Sequence, residues 1–203
     1  ALILVLISLF FGYPVYKNYR YTDPKKDGYV APRSPGDIVD LADRSTVVVD
    51  CQIGKTGGAY GSGWAINLEP SSPSFNSVII TNHHVIEDCL NGKGKIVAVY
   101  GENLDEYETV VDVIDEKNDL AKLSTTLKIP YLDLSKFEPF PGYWVMTYGT
   151  ADGYVGSVSF GAVMNATRKE VFMTANISHG NSGGPLLDNE GNVVGTNTWS
   201  STQ

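Results

Sequence analysis

An all-β fold, barrel or sandwich, is the class this sequence predicts, and three observations carry it. From residue 46 onward the chain breaks into short runs rich in Val, Ile, Thr and Tyr, bounded by Gly, Asn and Pro. No stretch shows the repeat of a long amphipathic helix. At 203 residues, with no second block of different composition, the chain is long enough to bury a sizeable core in one main globular unit.

Residues 1–12 carry no charge, yet they fall short of the roughly 20 residues a membrane-spanning helix needs. The chain begins at Ala, not Met, so further residues are expected in front of it. Residues 1–16 read as a truncated signal anchor or signal peptide. No small-x-small cleavage site follows at Tyr13-Pro14-Val15-Tyr16, which favours the anchor, and Pro14 with the polar stretch behind it disfavours a core helix. Lys17, Arg20, Lys25 and Lys26 come next; under the positive-inside rule they oppose moving the C-terminal side across a membrane unless upstream charges outweigh them. Residues 17–44, with Pro24, Pro32 and Pro35, read as an extended polar linker, with a short helical turn expected at 35–42. Strands are expected at 46–53, 61–67, 77–81, 95–100, 106–114, 121–123, 143–148, 153–163, 171–175, 184–187 and 193–198.

The formal net charge of −8 argues against nucleic acid as a partner, because a phosphate-binding surface needs clustered Lys and Arg. Cys51 and Cys89 are compatible with one disulfide in an exported protein, and equally with two buried thiols.

The chemistry gathers around His179-Gly180-Asn181-Ser182-Gly183-Gly184-Pro185. A serine on a glycine-rich turn entering an apolar run presents a hydroxyl where backbone N–H groups can converge, which suits a nucleophile beside an oxyanion hole. Serine is a weak nucleophile at neutral pH, so the chain must also supply a base and a group to orient it. Thr81-Asn82-His83-His84-Val85 offers the base, and Asn118-Asp119-Leu120-Ala121 offers the carboxylate. A metal site built from His83, His84, Asp88 and Cys89 lacks regular ligand spacing. His179 reads as an exposed loop histidine.

These motifs, in the order His, Asp, Ser, resemble the trypsin/chymotrypsin-like serine peptidases, and most of all the bacterial HtrA (Do-type) branch. The resemblance runs from about residue 45 to the end. It implies two six-stranded antiparallel β-barrels, one at about 45–125 and one at about 140–203, joined by a crossing segment at 129–141. The family normally continues beyond the last strand present, so truncation at the C-terminus is also expected.

By the same resemblance His84 is the general base, chosen over His83 because it directly precedes Val85. Asp119 is its orienting partner, preferred to the rival Asp115 because it precedes Leu120-Ala121 at a strand start. Ser182 is the nucleophile, with the N–H groups of Gly180 and Ser182 forming the oxyanion hole and Asn181 shaping the turn. Asn176, six residues before the nucleophile, would sit at the base of the substrate pocket, and Thr198, Trp199 and Ser200 would form its wall. Asn176 is not the Asp of tryptic enzymes, so a neutral pocket for a small or medium apolar residue is expected. Family members often bridge a strand before the catalytic His to the turn after it, as Cys51 and Cys89 could. Asn181 replaces the Asp of zymogen-type trypsins, so activation by N-terminal cleavage is not implied. The resemblance points to a serine endopeptidase, extracytoplasmic and secreted or held at a membrane by the N-terminal segment. Its substrate would be protein or peptide, with no metal or organic cofactor. An inactive peptide-binding relative and an esterase on the same fold are the alternatives.

Overall fold

The structure, a computed structural model, describes residues 29–32 and 34–198. The expected anchor at 1–16, residues 17–28 of the expected linker, and Trp199 and Ser200 of the expected pocket wall lie outside the described residues.

The short helical turn expected at 35–42 is present and runs three residues further. Pro35–Ser45 forms helix α1, which starts on a proline whose fixed φ suits the first helical position. Asp37 lies in its first turn and Arg44 in its last, complementing the helix dipole. Ile38 and Ala42, one turn apart, are buried and give the helix an apolar face to pack.

The first barrel closes as expected. Strands β1 (Thr46–Ile53), β2 (Gly57–Ile66), β3 (Ser77–Thr81), β4 (Lys95–Tyr100), β5 (Asp105–Asp115) and β6 (Leu120–Thr125) run in the order β1-β2-β3-β6-β5-β4, and β4 pairs back onto β1. Closure leaves the barrel without an open edge. On β1, Val47, Val49 and Cys51 alternate inward and meet Ala65, Ile79, Ile96, Ala98 and Leu123 in the core. Strand β2 starts at Gly57, earlier than the expected 61, because the ladder to β1 continues through the pair Ile53↔Gly57. Helix α2 (His83–Ile86) leaves the end of β3 and sinks Val85 and Ile86 into this core. The following 3-10 segment, Glu87–Gly92, carries Cys89 back to β1, where it is disulfide-bonded to Cys51 with the Cα atoms 5.7 Å apart.

The second half is a curled sheet of five strands among the described residues, where six were expected. Strands β7 (Trp144–Ala151), β8 (Tyr154–Ala166), β9 (Val171–Met173), β10 (Pro185–Leu187) and β11 (Val193–Thr196) run in the order β11-β10-β7-β8-β9. One face collects Tyr143, Val145, Val163 and Leu186. The other collects Met146, Tyr148, Leu187 and Val193, and receives Ile38 and Ala42 of α1 together with Trp64 of β2. The crossing segment is not a free strap. Leu132 is buried in the second core, and its N–H donates to Ala65 O of β2 at 2.9 Å.

Candidate active site

Three segments of distant sequence converge where the halves meet. The first is α2. Its first turn places His84 at the surface while Val85 and Ile86 are anchored below, so the imidazole is presented from a fixed base.

The second is the turn between β5 and β6. Asp115 caps the short 3-10 turn Glu116–Asn118, accepting from Asn118 N at 3.2 Å and from Asn118 Nδ2 at 2.6 Å. These bonds, the side-chain one first, hold the Asp115 carboxyl below the usual carboxylate range. The rival carboxylate is therefore spent on shaping the turn. Asp119 follows in the left-handed conformation, φ 52° and ψ 48°, and its carboxylate turns onto α2. Asp119 Oδ1 accepts from His84 N at 3.0 Å, and Asp119 Oδ2 lies 2.7 Å from His84 Nδ1. A carboxylate only accepts, so the ring proton sits on Nδ1, and in the neutral imidazole Nε2 is left as the acceptor. His83 points elsewhere, with its Nδ1 4.0 Å from Glu87 Oε2.

The third is the loop before β10. It is bolted to the first barrel through Ser62: Ser62 N donates to Ser182 O at 2.7 Å, Ser62 Oγ donates to Gly180 O at 2.7 Å, and Thr150 N donates to Ser62 Oγ at 3.0 Å. Gly183 lies so close to the first barrel that a Cβ would stand 2.1 Å from Ser62 O, 2.3 Å from Thr81 Oγ1 and 3.1 Å from Asn82 N. Ser182 is thereby held beside the segment that leads into His84. Gly180 has φ +90°, a conformation open to glycine. Among the described residues the N–H groups of Gly180 and Ser182 have no hydrogen-bond acceptor.

Asn176 and Asn181 line an open pocket of about 220 Å³ with Ala151, Ser157, Val158, Ser159, Ile177 and Ser178. No charged side chain lines it, and its lining mixes Ser and Asn with Ala, Val and Ile. Thr198 is absent from this lining; its hydroxyl instead accepts from Asn82 Nδ2 at 2.9 Å, so its side chain turns to the inter-barrel seam. His179 is exposed, and its carbonyl accepts from Asp152 N at 2.6 Å. Among the described residues no three His, Cys, Asp or Glu side chains are grouped as metal ligands, and no helix is long and apolar enough to cross a membrane. Two residues of the site were not singled out from the sequence, Ser62 and Asn82. The signals were present: a serine between two glycines inside an apolar strand, and an asparagine directly before the histidine pair.

A six-stranded barrel and a curled second sheet, with a His–Asp pair and a serine followed by two glycines at their seam, define the trypsin-like peptidase class. The chain belongs to that family: the model of the trypsin-like peptidase domain matches residues 61–195. The chain is 31% identical over 136 residues to a probable periplasmic serine endoprotease, DegP-like, of Chlamydia trachomatis, covering 62% of this chain and 26% of that protein. It is 33% identical over 137 residues to human serine protease HTRA3, covering 60% and 30%. It is 34% identical over 155 residues to Xenopus laevis serine protease HTRA1, covering 69% and 31%. The crystal structure of the serine endoprotease from Yersinia pestis superposes with a TM-score of 0.68 at 27% identity, covering 84% of this chain and 59% of that one. The matched regions span between a quarter and a third of these curated relatives.

Proposed function

We propose that this chain is a serine endopeptidase that cuts peptide bonds through an acyl-enzyme formed on Ser182. His84 Nε2 takes the serine proton and returns it to the leaving amine, while Asp119 fixes the tautomer and stabilises the imidazolium. The N–H groups of Gly180 and Ser182 receive the oxyanion, and Asn181 shapes the turn that aims them. The observation that carries this reading is the two-point grip of the Asp119 carboxylate on His84, at 3.0 Å to its backbone N–H and 2.7 Å to its ring. The pocket around Asn176, with no charged lining, favours an uncharged side chain before the scissile bond over Lys or Arg. The disulfide and the periplasmic name of the bacterial relative support an extracytoplasmic setting. Residues 1–16 would tether the domain to a membrane.

The test is digestion of an unfolded polypeptide by the full chain. Fragments should appear with the wild type and be lost in Ser182→Ala and His84→Ala variants that retain the wild-type circular dichroism. A folded wild type that yields no fragments, or Ser182→Ala cutting equally well, overturns the reading. Turnover of activated esters without peptide cleavage would reassign the site to ester hydrolysis.

A further inference from the structure

Asn82 occupies the N-cap of α2, yet its side chain makes no capping bond. Asparagine is among the preferred N-caps, where its oxygen accepts from the second or third N–H of the helix. Here the second helical N–H, that of His84, is taken by Asp119 Oδ1 at 3.0 Å. Asn82 has turned away and uses both amide hydrogens on distant segments, donating to Asp119 O at 2.8 Å and to Thr198 Oγ1 at 2.9 Å. The exchange is reciprocal: Asp119 caps the helix that Asn82 begins, and Asn82 holds the carbonyl of Asp119. Asn82 is fully buried, and both bonds are at least partly shielded from solvent. Among the described residues Asp119 is one of four non-glycine residues with positive φ, a conformation that aspartate tolerates but that its neighbours help to hold.

We propose that Asn82 is a positioning residue: it locks Asp119 in the left-handed conformation that aims its carboxylate at His84, and couples that pair to the second half through Thr198. This rests on the reading of His84, Asp119 and Ser182 as one catalytic unit. Asn82 touches no reacting atom. Its two donated bonds set the register between the turn carrying Asp119 and the helix carrying His84, and small misplacements of catalytic groups cost up to about 10²-fold in rate. The Thr198 bond ties this geometry to the segment that directly follows β11 in the second half.

The experiment compares Asn82→Ala, Thr198→Val and Thr198→Ser in the full chain. It reads kcat and KM on a peptide substrate, and the low-field proton resonance of the His84 Nδ1–H held by Asp119. Asn82→Ala should lower kcat by about 10²-fold with KM little changed, and should shift or broaden that resonance. Thr198→Val should act in the same direction more weakly, and Thr198→Ser, which keeps the hydroxyl, should recover what valine loses. Wild-type kcat and resonance in Asn82→Ala overturn the proposal, and a loss there without one in Thr198→Val overturns the coupling through Thr198. If Asn82→Ala does not fold, Thr198→Val decides, since a normal resonance and kcat in that variant contradict the network. If the wild type cuts no peptide, the endopeptidase reading fails separately, and the resonance still tests the positioning.

Discussion

At the residue scale the site depends on contacts with no slack. Gly183 combines φ +85° with backbone and hydroxyl oxygens within 2.3 Å of where a Cβ would stand. Gly183→Ala must therefore open the seam between the halves, costing about 2 kcal/mol or more. A lowered urea midpoint together with lost activity would bear this out, and an unchanged midpoint would refute it. Ser62 is fully buried and its hydroxyl serves two backbone partners, so Ser62→Ala should cost about 1–3 kcal/mol in chemical denaturation. His84, Asp119 and Ser182 could be singled out as candidates because each sits inside a short motif, and the structure brings His84 and Asp119 into contact. Ser62 and Asn82 were not, since their partners lie far along the chain: 118 residues for Ser62, 37 and 116 for Asn82. The resemblance put Thr198 in the pocket wall; its hydroxyl also accepts from Asn82 Nδ2, a partner 116 residues away that the sequence does not mark.

At the element scale, period-two alternation bounded by turn residues made the strands readable: 46–53, 77–81 and 95–100 stand at their expected limits. The start of β2 was hidden because Gly57-Gly58 reads as a turn, and only the register with β1 carries it into the ladder. The disulfide was open from composition alone and is decided by α2 and the segment after it returning Cys89 to β1. It closes a loop with a sequence separation of 38, so removing it with a Cys51→Ala/Cys89→Ala pair should cost about 4 kcal/mol by loop-closure entropy. Thermal melts of this variant and of the wild type measure the difference. Asp112 on β5 should set the acid limit of the first barrel. Burial pushes its carboxyl up, but hydrogen bonds from Ser124, Ser71 and the Lys122 ammonium outweigh that and hold it below the usual range. A carboxyl depressed in the folded state stabilises above its unfolded pKa and loses that contribution as pH falls through the folded value. Stability should therefore decline from about pH 4 downward, and Asp112→Asn should flatten that decline in acid titrations followed by fluorescence.

At the scale of the whole molecule, the two halves act as one because several elements cross between them. Trp64 of β2 buries its ring in the second core, and its Nε1 donates to Thr196 Oγ1 at 3.2 Å. Helix α1 sits against the second sheet, where the Tyr148 hydroxyl donates to Asp43 Oδ1, and Tyr100 of the first barrel donates to Arg44 O at 3.4 Å. Composition hid this role, since prolines and charges around α1 resemble a spacer, and only Ile38 and Ala42 one turn apart mark its packed face. Ile38→Ala should cost about 2–4 kcal/mol although it lies far from Ser182 in sequence, read as a shift in urea denaturation. The claim on which the whole account turns is that the seam activates Ser182. The most direct measurement is labelling of the folded full chain with a fluorophosphonate, followed by mass mapping of the modified peptide. The account predicts one adduct, on Ser182, lost in Ser182→Ala and strongly slowed in His84→Ala and Asp119→Asn. A folded chain that takes no label, or one labelled equally well without His84, would contradict it.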